Sequence, residues 1–207
     1  MAKNQRMIPD EALPDGNERA RQAEAASLAL QDAGYEAIGL DHFALPEDPL
    51  TKAARDGTLH RNFQGYTTDA QETLIGLGAT SIGRTAQGYV QNITETGAWT
   101  RAVRSGTLPV AKGIALDPDD RLRAWVIERI MCDGAVDLDD AAERFHVAHD
   151  WADPELLALT PLEADGIIER DNARITLTPE ARPLSRIVAS TFDRYLAAGR
   201  AKHSAAV

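Results

Sequence analysis

The 207-residue chain contains one cysteine, Cys132. A single cysteine excludes an internal disulfide framework and a zinc finger. It also excludes any cysteine-ligated iron–sulfur cluster built by this chain alone. No apolar run approaches the roughly 18 residues that suggest a membrane span. The opening residues, MAKNQRMIPDEALPDG, lack the apolar stretch of a secretory signal, which makes the cytoplasm the expected compartment. Positive charge is scarce: 22 Lys and Arg stand against 32 Asp and Glu, for a net charge of −10. Affinity for phosphate backbones comes largely from Lys and Arg, so this balance counts against nucleic-acid binding. Internal repeats and low-complexity segments are absent as well.

What is present is ordinary for a globular protein: 43% hydrophobic and 26% charged residues, enough apolar content for a core at this length. The pattern changes near residue 100. Before it, Asn17 to Ala33 is rich in strong helix formers, and Gly34 is a suitable stop. Tyr35 to Leu40 reads as a short strand, Leu50 to Arg55 as a short helix, and Leu74 to Ile82 as a buried strand with close backbone approaches at its glycines. Helix, strand, helix, strand predicts a parallel sheet. Two strands are few, because sheets usually have four to six. Either this half pairs with something else or it is a piece of a larger domain.

The second half reads as mainly helical. Asp117-Pro118-Asp119-Asp120 is a helix start with an N-cap acid, proline in first position and acids in the first turn. Leu122, Trp125, Val126 and Ile130 follow at helical spacing, and Gly134 ends the run. Leu138 to Phe145 is a second helix. Asp153-Pro154-Glu155 opens a third, which Pro161 should kink or restart. Gly166 to Arg170 and Ala173 to Leu177 flank Asp171-Asn172, a hairpin signal. Thr178-Pro179-Glu180 then starts a last long helix running to Leu196. This order matches a winged-helix-like module, yet acids outnumber bases from Ser105 onward, which disfavours a DNA-binding role.

Several residues could carry chemistry. Asp41 and His42 follow an apolar strand, where α/β folds bind ligands; alternatively Asp41 caps the next turn and His42 is a satisfied loop residue. The stretch His60 to Thr68 is the densest polar segment, with an arginine for an anion, amides for hydrogen bonds and aromatics for a flat ligand; an ordinary turn is the alternative. Gly76-x-Gly78 lacks the third glycine of a dinucleotide fingerprint, where Ser81 stands instead. His146 and His149 have helical metal-ligand spacing without an evident third ligand, which favours a solvated face or cap. Cys132 fits a small core residue.

Two segments carry a resemblance. Gly39-Leu40-Asp41-His42-Phe43-Ala44 and His60-Arg61-Asn62-Phe63-Gln64-Gly65-Tyr66-Thr67-Thr68 resemble the GxDHFA and HRNFQGYTT segments of oxygen-independent coproporphyrinogen III oxidases. The likeness continues through Leu74–Ile82, Tyr89–Asn92, Lys112–Leu116, Leu159–Gly166 and Phe192–Leu196, nearly the whole chain. It implies an α/β N-terminal part (residues 1–100), the end of an open (β/α) radical-SAM-type barrel. A mainly helical, winged-helix-like C-terminal domain with a β-hairpin (101–200) would cap it, followed by a tail (201–207), frayed from Gly199.

The family binds a [4Fe-4S] cluster and two S-adenosylmethionine molecules, and decarboxylates two propionates of coproporphyrinogen III to vinyl groups, giving protoporphyrinogen IX. Its CxxxCxxC cluster motif has no counterpart here, so the chain resembles only the C-terminal half and is expected to be inactive alone. By resemblance, Ile82 contacts the second S-adenosylmethionine; a core isoleucine is the alternative. Gln64 lies near substrate, Arg61 pairs with a propionate through its guanidinium fork, and Asp41 and His42 orient this loop. No residue is assigned a catalytic or metal-binding role. Expected partners are a separate N-terminal half or a second copy through an open sheet edge. The alternative function is non-catalytic binding of porphyrin, heme or a partner.

Overall fold

The computed structural model describes residue 9 and residues 12–197. The expected tail from Gly199 lies outside the described residues. The first helix, α1 (Gly16–Asp32), starts where the Asp15 carboxylate accepts the Glu18 N–H at 2.8 Å and ends before Gly34, whose φ is +89°. It buries none of its side chains.

The expected strand 35–40 is instead half of a hairpin. Strands β1 (Glu36–Ile38) and β2 (His42–Ala44) pair antiparallel about a turn at Gly39, whose φ is +58°. That left-handed backbone suits glycine and reverses the chain before a longer strand can form. After α2 (Pro49–Arg55) comes a second small hairpin, β3 (His60–Arg61) with β4 (Tyr66–Thr67). A three-stranded sheet follows, in the order β5 (Ile82–Thr85), β6 (Gly88–Asn92), β7 (Val110–Ala115), with α3 (Thr96–Arg104) between its last two strands.

Two expectations therefore need correction. The parallel sheet does not form: every strand pair among the described residues is antiparallel. Short hairpins join β1 to β2, β3 to β4 and β5 to β6, where parallel neighbours would need long crossovers. Nor is Leu74–Ile82 a buried strand. It is an exposed loop, with Ile75 79% and Leu77 86% accessible, and strand geometry begins only at Ile82. Positive φ at Gly78 and Thr80 breaks the extended run. The loop is tied down by the Leu74–Arg84 bridge and by the Asn92 amide, which donates to Gly76 O at 3.1 Å and Gly78 O at 2.9 Å.

Helix α4 (Pro118–Asp133) begins with a reciprocal capping box between Asp117 and Asp120 and ends at Gly134, in the left-handed conformation. Its acidic first turn also suits the positive end of the helix dipole. Beyond it come β8 (Ala135–Asp137), α5 (Leu138–Phe145), α6 (Asp153–Ala158), α7 (Thr160–Ala164), β9 (Ile168–Asp171) and β10 (Arg174–Leu177). These last strands and β8 form a sheet in the order β8-β10-β9. The expected long last helix is broken into a 3-10 turn (Pro179–Leu184), α8 (Ser185–Ser190) and α9 (Arg194–Ala197). Pro183 inside the first turn of that run prevents a continuous α-helical ladder.

One continuous core joins Leu122, Val126 and Ile130 of α4 to Ile168, Ile175, Val188 and Phe192. A smaller cluster gathers Ile38, Ala44, Ala53, Leu59 and Tyr66 against Cys132 on another face of α4. Helix α4 thus faces both clusters.

Candidate functional site

The hairpin of β3 and β4 is built around its four-residue tip. The Asn62 N–H donates to Gly65 O at 3.0 Å, and the Gln64 N–H to the Asn62 side chain at 2.8 Å. Such Asx turns fix a tight reversal without long strands. Gly65 has φ +145° and lies against the His42 ring, where a Cβ would come within 2.7 Å of Nε2. The tip turns Phe63 and Gln64 outward, with Phe63 51% accessible.

Tyr66 anchors the base of the hairpin. Its hydroxyl accepts the Leu40 N–H and donates to Met131 O, each at 2.9 Å. Burial raises its pKa above the usual phenol value. The ring meets His42 edge-on at 5.0 Å, and the Arg61 guanidinium sits 5.4 Å from its centroid. A cation over an aromatic face is attracted by the ring quadrupole. His42 Nδ1 lies 2.8 Å from Asp41 Oδ1. Arg61 Nε is buried with no hydrogen-bond partner. Asp41, His42 and Arg61 therefore gather around Tyr66, whereas Gln64 is exposed at the tip.

Ile82 belongs to the next sheet. It pairs with Gln91, and Arg84 pairs with Tyr89. Side chains two apart on a strand share a face, so Ile82, Arg84, Tyr89 and Gln91 lie on one side. Lys112 and Ile114 of β7 extend that side opposite Gln91 and Tyr89. The Phe63 ring packs edge-on against Tyr89 at 5.2 Å. The hairpin tip thus rests on the sheet face that carries Ile82, and Phe63, not singled out in the sequence, makes the link. Burial raises the Tyr89 pKa.

The remaining sequence candidates are dispersed. Exposed His146 caps α5 with φ +56°, and His149 pairs with Asp139 at 2.6 Å, which raises the imidazole pKa. No group of three or more His, Cys, Asp or Glu capable of holding a metal ion occurs among the described residues. Cys132 is buried, and burial pushes its thiol up to about 12. A lone protonated thiol does not fit an iron–sulfur cluster, whose ligands are thiolates. No described helix is long and apolar enough to cross a membrane.

Behind the hairpin stands α4. Glu128 Oε1 accepts the Arg61 N–H at 3.0 Å and lies 3.3 Å from His60 Nδ1. Arg129 donates to Leu59 O at 2.9 Å and to Asp133 at 2.7 Å. Burial raises the Asp133 pKa, and its Oδ1 is buried without a hydrogen-bond partner. The sequence hint to Glu128 was an acid in the interior of an amphipathic helix, too common a signal to single it out. At the other end of α4, Arg194 binds Asp117, Asp119 and Asp120 at 2.6–2.9 Å. This network borders a cavity of about 160 Å³ lined by Tyr89, Asp120, Arg123, Phe192 and Tyr195, among others.

The antiparallel α+β framework, with its hairpin anchored over a sheet face, contains a segment with a family assignment of its own. Residues 116–184 match the sequence model of the HemN C-terminal domain. The chain is 47% identical to the oxygen-independent coproporphyrinogen III oxidase of Bradyrhizobium diazoefficiens, over 99% of this chain and 46% of that protein. The same enzyme of Paracoccus denitrificans is 44% identical, over 100% of this chain and 46% of the relative. The solved structure of coproporphyrinogen III oxidase (HemN) from Escherichia coli, described as a radical SAM enzyme, superposes with a TM-score of 0.85 at 35% identity. It covers 92% of this chain and 44% of that one. The chain corresponds to the C-terminal part of the HemN family and spans about half the length of these relatives.

Proposed function

We propose that this chain supplies the C-terminal half of an oxygen-independent coproporphyrinogen III oxidase and works only when completed by the other half of that fold. The observation that carries this reading is 47% identity, along 99% of the chain, to under half of a protein of that name. In this reading the residues before 100 stand at the end of an open (β/α) barrel, and 101–200 form a winged-helix-like cap over its mouth. The setting is cytoplasmic, without a nucleic-acid partner.

The roles of this chain's residues are binding and orientation. Gln64, at the exposed tip, contacts substrate. Arg61 holds a propionate through its guanidinium, whose Nε lacks a partner. Asp41 and His42 support the tip through Gly65 and Tyr66. Ile82, half-buried on the sheet face on which Phe63 rests, flanks the adenine of the second S-adenosylmethionine. When bound, S-adenosylmethionine would supply a radical only on receiving an electron, for which a reduced [4Fe-4S] cluster in the other half would be the donor. Cys132, buried and with its thiol held protonated, does not fit the [4Fe-4S] cluster, whose ligands would lie in the other half.

The test pairs this chain with the uncovered portion of the Bradyrhizobium relative under anaerobic reconstitution. Conversion of coproporphyrinogen III is expected with both pieces and not with either alone, and Gln64→Ala in the pair should remove most of it. Stable iron and S-adenosylmethionine cleavage by this chain alone would overturn the reading. Binding of porphyrinogen without turnover in any combination would favour the non-catalytic alternative.

A further inference from the structure

The hairpin has one polar anchor at the Leu40 N–H, which its Tyr66 hydroxyl accepts, and three more that converge on one helix. Glu128 takes the Arg61 N–H and stands beside His60. Arg129 takes the carbonyl of Leu59, and Met131 O receives the Tyr66 hydroxyl. All three belong to a single turn of α4. The hairpin has only two residue pairs of its own, His60 with Thr67 and Arg61 with Tyr66. Ladders that short do not hold a geometry in water without outside support.

Glu128 differs from its two neighbours. Met131 acts through its backbone, which any residue provides. Arg129 is shared with Asp133. The Glu128 carboxylate is the one α4 side chain that accepts directly from the strand leading into the tip, 67 residues away in sequence. We propose that Glu128 is a positioning residue for the Phe63–Gln64 tip: by accepting the Arg61 N–H it sets the height and angle at which the tip meets the Ile82 sheet face. The functional side of this inference rests on the reading of the tip as a binding element. It assigns to the HemN C-terminal domain, which contains Glu128, a share in shaping a site located outside it.

Gln offers a carbonyl oxygen at the same reach, and Ala offers none. Amide exchange of Arg61, followed by NMR on the ligand-free chain, is expected to rise at least about tenfold in Glu128→Ala and to stay within about threefold of wild type in Glu128→Gln, since a hydrogen bond to a charged group is among the stronger ones. If the Ala variant does not fold, Glu128→Asp, which withdraws the oxygen by one methylene, takes its place with the same expectation. Unchanged exchange in the Ala or Asp variant overturns the proposal, and so does equal loss of protection in Glu128→Gln. S-adenosylmethionine binding by the reconstituted pair is read separately: Glu128→Ala should weaken it and Glu128→Gln restore it. Binding that weakens equally in Ala and Gln variants overturns positioning through the acceptor. If the wild-type pair binds nothing, the functional reading fails, while the exchange result still decides whether Glu128 holds the hairpin.

Discussion

The core running from Leu122 to Phe192 contains sixteen buried apolar residues in one contiguous cluster, whereas the cluster around Ile38 contains six, one of which, Cys132, comes from α4. Strand β7 of the earlier sheet is exposed along its whole length, and Ile75, Leu77 and Leu108 are each more than three-quarters accessible. Burial on this scale is the main source of folding free energy. The later region therefore carries the stability, and the earlier one is arranged around a helix it does not own, with its apolar surface outward. A surface organised in that way fits a part meant to meet something larger.

That contrast can be broken most strongly in the large core. Phe192→Ala, at a side chain with no accessible surface, should cost about 3–5 kcal/mol and be visible as a lower urea midpoint for the entire chain. Gly39→Ala addresses the small cluster. Its Cβ would stand 2.1 Å from Tyr66 Cζ at a φ of +58°, for a cost of about 1–3 kcal/mol. The expected result is selective: the helical signal persists while alkylation of Cys132 becomes much faster. Equal loss of both signals would mean that the two regions form one cooperative unit.

Asp133 lies at the seam and gives the comparison a pH dependence. Its folded pKa is raised by burial. Its stabilising contribution is therefore full below the ordinary carboxylate pKa of about 3.9 and is lost as pH rises through the folded value. Asp133→Asn lacks that loss, so urea midpoints measured between acid and neutral pH should diverge in favour of the variant as pH rises. The smallest effect belongs to the open loop: Ile75→Ser with Leu77→Ser should move stability by no more than about 0.5 kcal/mol in the same melt. A larger loss would show that this surface is covered in solution.

Local signals made much of the later region legible. The helix start at Asp117, the stop at Gly134, the α5 boundaries, the break at Pro161 and the hairpin, whose turn falls at Asn172-Ala173, one residue beyond the expected Asp171-Asn172, all rest on residues within a few positions of one another. The long last helix failed because Pro183 outweighed an apolar spacing that suited a helix. In the earlier region, alternating glycines and apolar residues at 74–82 looked like a buried strand, but nothing described in this chain covers them. Side-chain neighbours such as Asp41 and His42 could be paired from adjacency. The Glu128–Arg61 and Phe63–Tyr89 contacts could not, since each joins residues distant in sequence through the fold itself.

The Tyr66 hydroxyl ties Leu40, 26 residues upstream, to Met131, 65 residues downstream. A bond of that span can close only after the intervening chain has given up its freedom, a cost that grows with loop length. Helix α4 itself closes through its Asp117–Asp120 cap and through bonds between residues one turn apart, and has no such wait. In time as well as in space, the expected order is helix first and tip afterwards. Refolding followed in parallel by helical dichroism and by protection of Cys132 would separate the two events, and simultaneous signals would show them to be one.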